Sequence, residues 1–483
     1  MRKNFQQQLT IGIIPISEVR IPTKSRDELP PVLAALQYIF ITPEINEKVF
    51  SILEAKVKSG KKDTGRTGMD LWEILVLATV RMALNTDYDR LHHLSNYDSL
   101  MRELMGVENK LGKGKTYGLQ TLKDNVSLLD ETTVNQINEL VVETAHQFVL
   151  KKNETLRIKS DTYALETNIH FPTDLNLLWD ACRKGLDVMS YCSKHYGLKG
   201  WRKQKHWRSA LKSCLRSTGK ACASRAANKA ATVQRQTAEY LRLAVDLDGK
   251  IEKSYRELYA SETFDMKLLA LLENLSYFQR MIKKHIDLID RRLLKGETIP
   301  SQEKVFSIFE PHSEWISKGK QNKKVELGHN LLISTDQNHF IIHHQVVERQ
   351  SDASLSTGLA DTLLNQYGHR GIESLSLDKG FYSKENKELL NLEIPLVIMP
   401  KKGKKNSMER EEESAGTFKK FRNAHSAVES NINQLEHNGL DRCPDKGIRG
   451  FKRYVSLGIL SYNLHRLGKV LQQQAGEVLR KTA

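Results

Sequence analysis

Two stretches decide the fold: Leu156-Arg157-Ile158-Lys159-Ser160-Asp161, and Ser374-Leu375-Ser376-Leu377-Asp378-Lys379-Gly380-Phe381-Tyr382. In each, apolar and polar residues alternate and the run ends on a carboxylate, which is the period-two pattern of a half-exposed strand. Working outward, 324–333 and 338–347 read as two further strands, joined by the polar turn Asp336-Gln337-Asn338. Residues 355–367 read as a helix, 383–390 as another, and Leu396-Val397-Ile398-Met399 as a strand stopped by Pro400. The charged stretch 401–420 reads as a loop, 423–436 as a helix capped by Asn438-Gly439, and 455–471 as a final apolar helix. The order strand, long insertion, two strands, helix, strand, helix, strand, helix predicts an α/β fold, a mixed sheet interrupted by a helical module.

Before the first strand the pattern is helical. Residues 1–30 read as an arm or short strand. Leu71, Leu75, Ala78 and Met82 share one face of a helix, Tyr88–Tyr97 reads as a turn into a second, and Gly118–Asn125 as a third. Asp130 caps a longer helix running through Ala145. Short helices of this kind suit a helix-turn-helix DNA reader and equally any small helical domain. The interruption, 183–300, reads as almost wholly helical. Its first part holds twelve Lys or Arg between Lys194 and Arg235 and no Asp or Glu, with Tyr196, Trp201 and Trp207 interleaved. Basic side chains neutralise phosphate and aromatic faces stack on bases, which makes Arg202, Lys203, Lys205, Arg208, Lys212 and Arg216 candidate DNA contacts. The competing reading is a solvated helix face with the tryptophans in its core. The expected domains are 1–150, helical and DNA-binding; 151–182 with 300–471, the sheet; and 183–299, the basic helical insertion.

A net charge of +16 favours polyanionic partners without bearing on fold. The five cysteines form no CxxC pair, as expected of reduced thiols rather than a zinc site. No apolar run approaches the ~20 residues of a membrane span, and the N-terminal run is too short for a signal peptide, so a cytoplasmic protein is expected.

Asp161 and Asp378 end strands, and Glu429 lies in the helical stretch His425-Ser426-Ala427-Val428-Glu429. Three such carboxylates make a hard-oxygen site for paired divalent cations, able to clamp both oxygens of a phosphodiester displacement. On a basic chain this points to an enzyme that cuts nucleic acid. The plainer alternatives are a turn cap for Asp161, a turn residue for Asp378, and Glu436 as a rival to Glu429. The pairs His92-His93 and His343-His344 are discounted as metal ligands, since neighbours on a strand face opposite ways.

These segments resemble the DDE transposases of bacterial insertion sequences. Asp161-Thr162, followed by Glu166-Thr167-Asn168-Ile169-His170-Phe171-Pro172-Thr173-Asp174, is similar to the first catalytic segment. Lys318-Gly319-Lys320 with Val325-Glu326-Leu327-Gly328 is similar to a strand-leading motif, and Asp378-Lys379-Gly380-Phe381-Tyr382-Ser383 to the second catalytic segment. Ala427-Val428-Glu429, Gly439-Leu440-Asp441-Arg442 and Tyr462-Asn463-Leu464-His465-Arg466-Leu467 are similar to the third. The resemblance implies an RNase H-like catalytic domain behind an all-helical DNA-binding domain. It implies that Asp161, Asp378 and Glu429 bind two Mg²⁺ ions, with Mn²⁺ substituting, and that Arg422 and His425 hold a phosphate. Relatives carry an Arg four residues before the glutamate and a Lys seven after, where this chain has His425 and Glu436. The implied activity is cleavage at element ends and strand transfer into target DNA. The implied partners are double-stranded DNA (terminal inverted repeats and target) and a second copy in a homodimer. A transposase-derived regulator without catalysis, and an RNase H-like nuclease that cuts without joining, remain the alternatives.

Overall fold

The computed structural model describes residues 13–57, 68–108, 114–261, 265–317 and 325–482, so Lys318-Gly319-Lys320 lies outside the described residues. Seven helices come first: α1 (Leu29–Ile41), α2 (Pro43–Val57), α3 (Leu71–Ala83), α4 (Tyr88–Tyr97), α5 (Ser99–Leu104), α6 (Leu119–Val126) and α7 (Glu131–Val149). The expected one-sided face on α3 is not what forms. Every residue from Leu71 to Ala83 is buried, because apolar side chains occupy nearly all positions and neighbours pack on every side. Asp130 caps α7 as expected, its side chain accepting from the Thr133 amide.

Strand β1 (Leu156–Thr167) follows, then α8 (Asp174–His195), α9 (Gln204–Ala223), α10 (Lys229–Tyr259) and α11 (Met266–Ile289). After them come β2 (Glu314–Ser317), β3 (Val325–Thr335), β4 (Ile341–Val347), α12 (Asp352–Tyr367), β5 (Ile372–Leu377), α13 (Lys384–Glu393) and β6 (Leu396–Ile398). The chain closes with α14 (Ser407–Ser414), α15 (Gly416–Ala424), α16 (Ser426–Leu435), β7 (Arg442–Cys443) and α17 (Gly447–Thr482). The sheet runs β2-β3-β1-β5-β6, with β4 also on β3 and β7 on the far end of β1. Pairings β1–β3, β2–β3 and β3–β4 are antiparallel, while β1–β5, β5–β6 and β1–β7 are parallel. This is the mixed α/β architecture that the alternation predicts.

Contacts divide the chain into two compact units, 1–168 with 314–483, and 169–313. The expected three-part division, 1–150, 151–182 with 300–471, and 183–299, differs in two respects. The N-terminal helices and the sheet share one hydrophobic core, in which Leu33, Leu36, Ile74 and Val141 belong with Leu331, Leu375 and Leu460. The insertion begins directly after β1 and has its own core around Leu178, Leu186, Trp201, Tyr240, Leu247 and Leu275.

Helix α17 is what unites the first unit. Asn463 donates to Asn138 Oδ1 on α7 and to the Ile341 carbonyl on β4, both at 2.8 Å, and accepts from the Ile341 amide at 3.0 Å. Ser461 bonds the Thr79 carbonyl of α3. Arg81 and Arg453 both bond the buried Asp445 carboxylate. These buried polar bonds tie α17 to α3, α7 and β4 at once.

The charged stretch expected as a loop forms α14 and α15. Asn406 and Glu409 make a capping box, and Lys387, Lys401 and Lys405 pair with Glu412, Glu409 and Glu413. Composition alone read these charges as solvent-seeking, whereas α14 pairs its acids with Lys387 on α13 and with Lys401 and Lys405 ahead of its cap, contacts that no three- or four-residue helical spacing announces. The cap after α16 is as expected, with Gly439 at φ +94°, a left-handed conformation that glycine reaches without strain.

Candidate active site

Strands β1 and β5 run parallel with Ser160 beside Leu377. The next residue of each is an aspartate, so Asp161 and Asp378 emerge at adjoining positions. Asp161 is half-buried within β1, opposite Ile333 of β3. Asp378 is exposed where β5 ends and a short 3₁₀ turn, Lys379–Phe381, begins. Glu429 sits exposed in the first turn of α16. That helix is oriented by its inward row Val428, Asn431 and Leu435, and Tyr462 of α17 donates to Asn431 Oδ1 at 3.3 Å.

Electrostatics tie the three acids together. The Asp161 carboxyl is pushed up to about 7, first by burial and then by the charges of Asp378, Asp352 and Glu429. A bond from the Thr162 amide to Asp161 Oδ1, at 2.7 Å, pulls the other way. His425 stands near the same acids: burial lowers its pKa, Asp378 and Glu429 raise it, and Lys159 lowers it. Among the described residues no group of three or more His, Cys, Asp or Glu side chains is already drawn together as a metal cage. Like-charged carboxylates repel, and a cage tightens as a cation draws them in. The donor chemistry nonetheless fits a hard divalent ion: carboxylate oxygens, one of them half-buried and held against its ionised form by its neighbours.

The other expected residues divide. Arg202, Lys203, Lys205, Lys212 and Arg216 are exposed, and Lys205, Lys212 and Arg216 fall on one stripe of α9 at spacings of seven and four. Arg208 is instead paired with Asp187 of α8. Trp201 is 1% exposed and donates to Ser254 Oγ at 3.0 Å, Trp207 packs on the same core, and Lys250 lies over both rings. Tyr196, half-buried, donates to Asp265. These aromatics belong to the insertion's core, and the reading of them as base-stacking faces is corrected. Arg422 is exposed at the end of α15. His425 is not directed outward to hold phosphate: its Nδ1 meets Ser376 Oγ at 3.0 Å, and its Nε2 is buried without a partner. Asp352, Ser376 and the buried Lys159 were not found from the sequence. Ser376 and Lys159 are paired across β5 and β1, which only the strand register reveals.

A mixed sheet with aspartates at adjoining positions of two parallel strands and a glutamate on a nearby helix fits an RNase H-like fold. The segment of residues 288–464 matches the family described as transposase DDE domain. It includes Asp378 and Glu429, while Asp161 lies upstream of it. Proteins of this family act on DNA and normally use divalent metal ions. No curated protein and no solved structure matches the chain. No helix among the described residues is long and apolar enough to cross a membrane.

Proposed function

We propose that this protein is a transposase that cleaves DNA at the ends of an insertion sequence and joins those ends to target DNA, with Asp161, Asp378 and Glu429 as its metal-binding triad. The observation that carries this is the gathering of acids far apart in sequence: Asp161 and Asp378 emerge at adjoining positions of paired strands, and the charges of Asp378 and Glu429 both reach the Asp161 carboxyl, on a chain of net charge +16 with a DDE domain. The three would hold Mg²⁺, with Mn²⁺ able to replace it. When bound, the cations supply activation of the attacking oxygen and neutralisation of the leaving one.

The chain's own residues prepare that chemistry. The Thr162 amide fixes one oxygen of Asp161, and β1–β5 pairing fixes the spacing of the two aspartates. The Ser376–His425 bond holds the start of α16, and with it Glu429, against β5. Positioning of this kind supplies much of the rate in phosphoryl transfer. The exposed stripe of α9 and, separately, Arg422 would contact DNA phosphates, and a dimer would bind the two ends. The three acids favour this reading over a regulator without catalysis, since like charges gathered in this way disfavour folding unless used.

The test is incubation of the purified chain with DNA carrying the flanks of its gene, with Mg²⁺ or Mn²⁺, beside Asp378→Ala. Cleavage and strand-transfer products from the wild type alone are expected. Cleavage without joined products would favour the nuclease reading, and binding without cleavage the regulator.

A further inference from the structure

Asp352 is the first residue of α12, and Ser351 stands before it with no side-chain cap bond. An acid in a first helical turn ordinarily needs no other role than to face the helix dipole. This one does more. Its Oδ1 accepts a hydrogen bond from Thr162 Oγ1 at 3.0 Å, while the Thr162 amide donates to Asp161 Oδ1. One threonine is therefore held between two carboxylates, hydroxyl to one and amide to the other.

On its other side Asp352 meets the turn that follows Asp378. A Cβ added at Gly380 would lie 2.6 Å from Asp352 Oδ2 and 3.4 Å from its Cβ and Cγ. Gly380 is not among the glycines with positive φ, so close approach, and not backbone conformation, is what excludes a side chain there. Asp352 thus touches the segments carrying both aspartates. Its charge is also one of the three that hold the Asp161 carboxyl up. An acid beside two segments that carry carboxylates, in a space kept open by a glycine, is positioned to share a cation with them.

Resting on the metal-site reading above, we propose that Asp352 is a fourth carboxylate of the site, which positions Asp161 through Thr162 and adds its charge to the field that retains the divalent cation. It is a positioning residue. Residues that orient metal ligands in this manner change metal affinity by about 10- to 100-fold when replaced.

The experiment measures Mn²⁺ binding to the full chain without DNA, by the loss of the free-ion electron paramagnetic resonance signal. The variants are Asp161→Ala, Asp352→Asn, Asp352→Glu and Thr162→Val, each checked for fold by circular dichroism and urea midpoint. Asp352→Asn keeps an oxygen for Thr162 and loses the charge, and it is expected to bind Mn²⁺ about tenfold more weakly with an unchanged or higher midpoint. Asp352→Glu should recover part of the affinity. Wild-type affinity in Asp352→Asn, alongside loss in Asp161→Ala, overturns this inference and leaves the triad standing. Binding indifferent to Asp161→Ala overturns the triad and this inference together. Should Asp352→Asn fail to fold, Thr162→Val decides, and affinity equal to wild type there overturns the positioning role.

Discussion

Replacing Asp161 by Asn should make the metal-free protein more stable and inactive at once. The Asp161 carboxyl moves from an ordinary 3.8 in the unfolded chain to about 7 in the folded one. A raised carboxylate pKa means the folded state holds a proton that the unfolded state has released. Stability therefore falls as pH rises from about 4 to about 7, and the penalty is complete above 7. The interval spans roughly three pH units at about 1.4 kcal/mol each, which sets an upper bound of about 4 kcal/mol. Partial exposure to water reduces this to about 2 kcal/mol at pH 8. Asn has the same shape and no charge, so Asp161→Asn should gain that amount in EDTA. Added Mg²⁺ should stabilise the wild type and not the variant. Hydrogen exchange of the β1 peptide reports this on the first unit alone, without requiring the two units to unfold together. Slower exchange in Asp161→Asn at pH 8, and a gap that closes toward pH 4, is the expected result. A variant that exchanges faster than wild type at pH 8 would refute the picture of Asp161 as a charge held against its own preference.

The remaining predictions concern the basic face, the core and acid. Lys212→Glu with Arg216→Glu should weaken DNA binding whatever its sequence and flatten the salt dependence by about 2 in log–log slope, read from titrations at several salt concentrations. Arg81→Ala strands the buried Asp445 carboxylate with Arg453 alone and should cost about 3–5 kcal/mol in urea unfolding. His344 is buried and its pKa is pushed down to about 3, chiefly by burial and also by His343. Stability it contributes is lost as pH falls below the ordinary 6.5, at up to about 1.4 kcal/mol per pH unit, and His344→Gln should make that acid slope shallower.

What the sequence disclosed follows the range of the interactions involved. Alternation over 156–161 and 374–377 announces β1 and β5, because a pleated strand writes its two faces into adjacent residues. The carboxylates ending them were legible for the same reason. Trp201 was not, since an aromatic among lysines looks the same whether it stacks on a base or donates to Ser254 across the insertion's core. His425 turned inward for a partner 49 residues away, Ser376, and no local pattern encodes that. Asp352 hides among ordinary first-turn acids until Gly380 and Thr162 are seen against it. The helices α14 and α15 were missed because charge was weighed as a total, while the ion pairs that hold α14 join it to Lys387 on α13 and to Lys401 and Lys405 eight residues away.

The insertion leaves the sheet after Asn168 and returns at Glu314. In the sheet Glu166 pairs with Gly328, and Gly328 pairs with Glu314, so departure and return lie two strands apart on one row. At about 4.8 Å between strands, the gap is roughly 10 Å, within reach of three or four extended residues. Chain order puts residues 169–313 before β3, so the whole second unit is synthesised before β3 exists to bring Glu166 and Glu314 onto one row. Long detours of this kind cost little in closure entropy when the detour folds by itself. The junction thus works as a narrow splice: the length of what lies between its two ends need not move them, so the strand that bears Asp161 can keep its register.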